Sequence, residues 1–118
     1  MTQTTDWHTL YQDKLTTAET AIAETVTSGC RVFMTGNCSV PRKLVDALVD
    51  YAPQVEDVEI AQTLTVGAAT WNAPELEGHL RSNVMFIGHN MRRAVWDQRA
   101  DFTPVLLSEF PLLFKKGK

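Results

Sequence analysis

The stretch FMTGNCSVPRKLVDALV, residues 33–49, decides the fold class, because a strand, a turn and a helix follow one another within it. Residues 31–35 predict a short strand with an apolar centre. Gly36 begins the turn, and Pro41 is typical of the first turn of a helix, where its missing N–H costs no hydrogen bond. Apolar residues then recur at helical spacing, at Leu44, Val45, Leu48 and Val49.

The rest of the chain repeats this alternation. Helices are predicted at 7–15, 18–26, 41–53 and 91–99, with a short one near 74–79, and further strands are predicted at 58–64, 83–88 and 105–107. The strands are apolar without clean alternation, which is typical of strands covered on both faces. We therefore expect an α/β domain whose parallel sheet has right-handed βαβ crossovers.

Local signals mark the ends of these helices. Thr16 and Glu19 have the spacing of a capping box at a helix start, and Gly29 is expected to stop the same helix. Ser39 is expected to cap the helix that starts at 41. Asn90 is expected to cap the helix that follows the third strand.

Length and composition point to one globular domain. The chain has 118 residues, of which 44% are hydrophobic, and a formal net charge of −3. This acidic balance argues against a nucleic-acid-binding face, and no apolar run approaches the ~20 residues of a membrane helix. The first residues lack the pattern of a signal peptide, so we expect a cytoplasmic protein.

The two cysteines, Cys30 and Cys38, flank the first strand. They are expected to lie too far apart to form a disulfide, and neither has metal-ligand spacing.

Ligands of open parallel sheets bind at the carboxyl ends of the strands. Those ends are expected at 36–39, 65–68, 88–90 and 108–109. The residues expected to line a cleft there are Gly36, Asn37, Cys38, Ser39, Pro41, Gly67, Gly88, His89, Asn90 and Arg92.

The turn at 36–41 is compatible with two roles. It is not a nucleotide P-loop, because Pro41 stands where the second glycine of GxxxxGK[ST] belongs, and GxGxxG is also absent. Cys38 is not supported as a nucleophile, since no base lies near it in the sequence. The turn is either a plain strand–helix corner or an anion or oxyanion site formed by backbone N–H groups. His89 is similarly either an acid–base residue or an ordinary loop residue.

Four ordered segments resemble the N-terminal domain of the acetyl-CoA hydrolase/transferase family, which includes 4-hydroxybutyrate, butyryl and succinyl CoA-transferases. They are YQDKLTTAETAI, SGCRVFMTGNCSVPRKLVDALV, DVEIAQTLTVGAATW and FIGHNMRRAVWDQRADFTPVLLSEFPLLF. The last is the most specific, because it closely follows the family pattern FiG.n.R.av..GradytPv.lse.P.lf. Family members vary at the positions of Asn37, Cys38 and Ser39, so the resemblance assigns no role to Cys38.

The resemblance implies a CoA-transferase (NagB/RpiA-like) α/β fold, of which residues 1–118 form the N-terminal domain. It implies ping-pong transfer of CoA between an acyl-CoA and a short carboxylic acid, through glutamyl-CoA thioester intermediates. The family's nucleophilic glutamate lies in a second domain, so no catalytic residue is expected in this chain, and Glu109 is not that residue by its position. The cleft residues named above are then expected to wall the site of the CoA thioester substrate, with no bound cofactor or metal.

Three functional hypotheses stay open. The first is the N-terminal domain of a CoA-transferase or acetyl-CoA hydrolase that is inactive without its second domain. The second is a stand-alone α/β module that binds a small anion without catalysis, and the third is one subunit of a split CoA-transferase. Under the first and third, the surface that meets the missing partner is expected to be apolar and to favour a homo-oligomer such as a dimer.

Overall fold

The computed structural model describes residues 6–115, and its centre is a four-stranded parallel sheet. The strands are β1 (Arg31–Met34), β2 (Val58–Gln62), β3 (Leu80–Val84) and β4 (Ala100–Phe102), in the order β1-β2-β3-β4. All three pairs are parallel, and Ile60 lies opposite both Val32 and Ser82. The predicted α/β class and parallel sheet are confirmed.

Five α-helices lie within residues 6–115: α1 (Trp7–Lys14), α2 (Ala18–Thr25), α3 (Arg42–Tyr51), α4 (Arg92–Trp96) and α5 (Phe110–Lys115). Short 3-10 turns lie at Ala52–Gln54, Thr70–Asn72, Pro74–Leu76, His89–Met91 and Leu107–Glu109. The crossovers from β1 to β2 and from β3 to β4 contain α3 and α4, as predicted. The middle crossover contains only two 3-10 turns.

The helices α2, α3 and α4 cover one face of the sheet. Alternate strand residues face them and form the core together with side chains from the helices and the middle crossover. This core includes Ile22, Met34, Val45, Leu48, Ile60, Trp71, Val84, Met91 and Ala100. Burial of this one face is the main source of stability, because the driving force is proportional to the apolar area removed from water.

The other face of the sheet is polar, so the expectation that both faces are covered alike is wrong. It carries Arg31, Glu59, Arg81, Asn83 and Asp101, none of which is fully buried. An ion pair of 2.7 Å joins Arg31 to Glu59 across β1 and β2. Helix α5 reaches this face at β1, where the Phe33 ring lies 5.7 Å from Phe110 and 5.2 Å from Phe114, centroid to centroid.

Two strands lie earlier in the chain than predicted. β3 spans Leu80–Val84 instead of 83–88, and β4 spans Ala100–Phe102 instead of 105–107. Only alternate residues of β3 face the core, so this strand is less apolar than the loop that follows it. The apolar loops instead leave Phe86 57% exposed and Leu107 84% exposed. These apolar side chains lie at the protein surface, beside the ends of the strands.

The predicted caps of α2 and α3 both differ from what the structure shows. Thr17, and not Thr16, caps α2, since its hydroxyl accepts a hydrogen bond of 3.2 Å from the Thr20 N–H. α2 ends at Thr25, and Gly29 belongs to a later turn. α3 begins at Arg42 behind Pro41 and has no side-chain cap, so the prediction for Ser39 is wrong.

Helix α4 also differs from its prediction at both ends. It begins at Arg92 after a 3-10 turn that contains Asn90, whose side chain does not cap it. It ends at Trp96 because Gln98 adopts a left-handed conformation with φ of 61°. The Gln98 N–H bonds the Val95 carbonyl, and the next N–H bonds the Ala94 carbonyl. This is the Schellman pattern, in which glycine is usual at the left-handed position.

A buried polar network joins β2, β3 and the turn Thr70–Asn72. The hydroxyl of Ser82, which is 1% exposed, accepts from Trp71 Nε1 at 3.1 Å and from Gln62 Nε2 at 3.2 Å, and donates to Asn72 Oδ1 at 2.8 Å. Asn72 Nδ2 in turn donates to Met91 Sδ at 2.8 Å. Gln62 Oε1, by contrast, is buried without a partner among the described residues. One hydroxyl thus holds three elements together.

Replacing Ser82→Ala is expected to lower the free energy of unfolding by about 3 kcal/mol, because Trp71 Nε1 and Asn72 Oδ1 lose their partner and Gln62 Nε2 keeps only Met91 Sδ, at 3.5 Å. Gln62→Met is the matched control. It removes a buried carbonyl that has no partner and leaves Ser82 two of its three, so we expect a change below about 1 kcal/mol. Urea denaturation followed by tryptophan fluorescence measures both values, and equal losses would contradict this account.

An exposed ion pair clamps β4 to β3. Arg81 Nε and Nη2 donate to the two carboxylate oxygens of Asp101 at 2.6 and 2.7 Å. The hydrogen bond from Arg81 lowers the pKa of the Asp101 carboxyl below its ordinary value of 3.8, although partial burial opposes the shift. The same bond raises the pKa of Arg81.

Asp101→Asn is expected to cost up to ~1 kcal/mol at pH 7, since the pair is exposed to solvent. A carboxyl whose folded pKa is depressed contributes stability above its unfolded pKa, and this contribution is lost as the pH falls through the folded pKa. The difference between wild type and variant should therefore begin to shrink as the pH falls below 3.8 and vanish once the pH lies below the lowered pKa of folded Asp101. Urea denaturation at several pH values tests this, with Glu75→Gln as the control. A difference that grows on acidification would overturn the assignment.

Candidate functional site

The carboxyl ends of β1, β2 and β3 meet around the segment 63–67, which follows β2. The Asn37 N–H donates to the Leu64 carbonyl at 2.8 Å, and Asn37 pairs with Thr65 in an isolated parallel bridge. From the other side, Asn90 Nδ2 donates to Thr65 Oγ1 at 3.2 Å and to the Gly67 carbonyl at 3.0 Å. The turn after β1 and the loop after β3 are therefore both attached to segment 63–67.

Two glycines permit this close approach. A Cβ atom on Gly36 would collide with the Leu64 carbonyl oxygen and lie 2.8 Å from Thr63 Oγ1. A Cβ on Gly88 would lie 2.8 Å from Leu64 Cδ1, the end of a flexible side chain. Neither glycine has positive φ, so packing and not backbone conformation favours glycine at both positions, strictly at 36, where backbone lies close, and less strictly at 88, where side-chain atoms lie close.

The turn at 36–41 is held by its own hydrogen bonds. The Ser39 N–H donates to the Gly36 carbonyl at 3.0 Å, and Thr35 Oγ1 donates to the Ser39 carbonyl at 2.6 Å. Asn37 has φ of 52°, a conformation that asparagine tolerates better than most residues. The Ser39 N–H is thus bonded within the turn, and the Asn37 N–H is bonded to Leu64. The N–H groups of Cys38 and Val40 have no backbone partner within residues 6–115.

The structure divides the predicted cleft residues into two groups. Gly36, Asn37, Gly67, Gly88 and Asn90 converge on segment 63–67. Cys38, Ser39, His89 and Arg92 are exposed, and Pro41 is half-buried at the start of α3. Cys30 and Cys38 are unbridged, as expected.

Two pockets flank segment 63–67. The pocket on the α5 side, called here the apolar pocket, has a volume of about 390 Å³ and is lined by Asn37, Thr63, Leu64, Met85, Phe86, Val105, Leu107 and Phe110. The pocket on the α3 side has about 250 Å³ and includes Arg42, Val66, Gly67 and Trp71. Six of its eight residues fall in segments that the sequence predicts to be strands, and the structure places those six in the segments that follow the strands, where side chains from distant parts of the chain meet.

A third pocket, of about 260 Å³, lies at the opposite end of the sheet, beside Asp57 and Leu80. Both of its arginines are already bound within the protein. Arg81 is paired with Asp101, and Arg99 donates to the Asn72 carbonyl at 2.6 Å and lies 3.6 Å from Asp97. This pocket therefore offers no free cation to an anionic ligand.

Cations stand at the starts of α3 and α4, next to the strand ends. Arg42, Lys43 and Arg92 form no ion pair with the residues that the structure describes. Positive charge at this edge favours the approach of an acidic ligand. Within residues 6–115, no three His, Cys, Asp or Glu side chains are placed to share a metal ion, and no helix is long and apolar enough to cross a membrane.

Comparisons with known proteins agree with this architecture. All 118 residues match a family model described as the acetyl-CoA hydrolase/transferase N-terminal domain. The succinyl-CoA:acetate/propanoyl-CoA:succinate CoA transferase of Fasciola hepatica is 38% identical over 75% of this chain. The 4-hydroxybutyrate coenzyme A transferase of Clostridium kluyveri is 33% identical over 96% of it. The chain spans 18% and 26% of the lengths of these relatives.

Solved structures show the same fold. The crystal structure of RipA from Yersinia pestis superposes with a TM-score of 0.80 and is 26% identical in sequence. The match covers 92% of this chain and 28% of RipA.

Gly36→Ala is expected to lower the free energy of unfolding by about 2 kcal/mol or more, because the new methyl group meets backbone that must move. Gly88→Ala serves as the control. Its methyl group would lie 2.8 Å from Leu64 Cδ1 and 3.1 Å from Asn90 Oδ1, which are side-chain atoms and can shift more easily than backbone, so the expected loss is smaller, about 1 kcal/mol. Thermal and urea denaturation of the two variants give the comparison, and a larger loss at Gly88 would refute the packing argument.

Proposed function

The chain belongs to the acetyl-CoA hydrolase/transferase family, and from this membership we propose that it forms the N-terminal part of an enzyme that moves CoA between an acyl-CoA and a short carboxylic acid. The observation that supports the proposal is the convergence of three strand ends on segment 63–67, with a pocket on each side. If the whole enzyme is instead an acetyl-CoA hydrolase, the same strand ends line its acyl-CoA cleft, and water accepts the acyl group.

In this proposal, the strand ends form one wall of the acyl-CoA cleft. Gly36 and Gly88 allow the wall to pack closely, and Asn90 holds segment 63–67 in place through two hydrogen bonds. Arg42 and Arg92 supply positive charge for the phosphates of CoA. The substrate is a CoA thioester, and the described residues supply position and charge instead of a nucleophile.

The nucleophilic glutamate is proposed to come from outside residues 1–118, on a second domain or a partner subunit. Glu59, on β2, points to the polar face of the sheet and is paired with Arg31 at 2.7 Å. Glu109 is exposed in the turn before α5. Neither carboxylate lines the two pockets beside segment 63–67. We place the enzyme in the cytoplasm. We also propose that it is a homo-oligomer, since the exposed side chains of Trp96 and Phe102 suit a protein interface.

A chimera tests the proposal directly. Residues 1–118 replace the matched segment of the Clostridium kluyveri relative, and we expect the chimera to transfer CoA from an acyl-CoA to a short carboxylate. The chain by itself, incubated with acetyl-CoA, should show no CoA adduct on any glutamate by mass spectrometry.

The unmodified relative is the positive control, and circular dichroism confirms that the chimera is folded. A folded chimera without transferase activity, or a glutamyl adduct on the isolated chain, would contradict the proposal.

The free cations at the strand ends also suit a stand-alone module for small anions. Tight stoichiometric binding of CoA or a short carboxylate to the chain alone, measured by calorimetry, would favour that module.

A further inference from the structure

The apolar pocket has a composition that discriminates between acyl groups. We propose that it takes the uncharged chain of a short monocarboxylic acyl group and rejects a dicarboxylic one such as succinyl. This inference rests on the proposed function, because the apolar pocket is part of the proposed cleft wall.

Among residues 6–115, the side chains that line the apolar pocket include none that is ionisable. Six of its eight residues are apolar: Leu64, Met85, Phe86, Val105, Leu107 and Phe110. The other two, Asn37 and Thr63, are polar and uncharged. A volume of about 390 Å³ falls within the range of small-molecule sites. Each methylene group buried there is expected to tighten binding roughly fourfold.

A second carboxylate in this pocket would find no cation among the described residues that line it. Arg42 lines the other pocket, on the α3 side of segment 63–67. Arg31, on the polar face of the sheet, is already bound to Glu59. Removing a carboxylate from water without a cation or several hydrogen-bond donors is strongly unfavourable. The charge distribution therefore selects against a dicarboxylic acyl group.

The polar residues define what the apolar pocket can still accept. Asn37 and Thr63 belong to two neighbouring segments, since the Asn37 N–H is bonded to the residue that follows Thr63. Their side chains offer an amide and a hydroxyl, which can both donate and accept hydrogen bonds. An acyl chain that ends in a hydroxyl group is therefore compatible with the pocket, whereas one that ends in a carboxylate is not.

The test uses acyl thioesters that lack the nucleotide, so that the apolar pocket is examined separately from CoA binding. S-butyryl-, S-4-hydroxybutyryl- and S-succinyl-N-acetylcysteamine are titrated into the 118-residue chain, and NMR follows the resonances of Leu64, Val105 and Phe110. We expect the first two probes to shift these resonances and to bind at least ~10-fold more tightly than the succinyl probe. Equal affinities, or no shift with any probe, would overturn the inference.

A matched pair of variants locates the effect in the pocket. Leu107→Arg places a cation in the lining at a residue that is 84% exposed, so the fold should tolerate it. We expect it to reverse the preference toward the succinyl probe by about tenfold. Leu106→Arg adds the same charge at the neighbouring residue, which is 66% exposed and does not line the pocket, and should leave the preference unchanged. Equal effects of both variants would overturn the inference.

Titration with CoA itself distinguishes the two proposals. If the probes discriminate as expected and CoA does not compete or bind, the proposed function is at fault and the preference of the apolar pocket stands. If CoA binds at the strand ends while the butyryl and succinyl probes bind alike, the pocket assignment is wrong and the proposed function is unaffected.

Discussion

Four consecutive parallel strands force each connection to return across the sheet before the next strand begins. In this protein all three connections return over the same face, so that face is buried and every strand delivers its carboxyl end to one edge. The same constraint leaves the other face without helices from the crossovers. That face is accordingly polar, with Arg31 paired to Glu59 and Arg81 paired to Asp101. The location of the candidate site and the polarity of the second face have a single cause.

At the edge where the strands end, close packing shapes the site. Segment 63–67 is bonded on one side to Asn37 and on the other to Asn90, and glycine at 36 lets the backbone of the first turn approach the Leu64 carbonyl. Behind this edge, the Ser82 hydroxyl connects β3 to Gln62 and to the turn that carries Trp71. The two pockets beside segment 63–67 differ in chemistry, since one is apolar and the other contains Arg42. An acyl-CoA thioester likewise has two chemically different parts, an acyl chain on one side of the sulfur and the phosphate-bearing CoA on the other.

Family membership and local geometry contribute different parts of the functional argument. The chain matches the N-terminal domain of the acetyl-CoA hydrolase/transferase family over its whole length, while it spans about a fifth to a quarter of two curated CoA transferases. Glu59 is paired with Arg31, and Glu109 is exposed and lines neither pocket beside segment 63–67. The described residues therefore shape and charge a site, and this agrees with a nucleophile that comes from elsewhere.

The sequence by itself determined the α/β class, the strand–turn–helix unit at 33–49, the glycines at 36 and 88, and the family, because these depend on local periodicity and on short ordered motifs. Only the tertiary structure decided where β3 and β4 lie, since pairing selects half-apolar strands over the more apolar loops beside them. It also decided that Asn90 bonds segment 63–67 instead of capping α4, and that Gln98 ends that helix in a conformation glycine usually takes. The apolar segments at 85–87 and 105–107 look like strands in the sequence, because an apolar run does not show what its side chains will contact. In the fold, residues of both segments line a pocket at the edge of the sheet, together with residues far away in the chain.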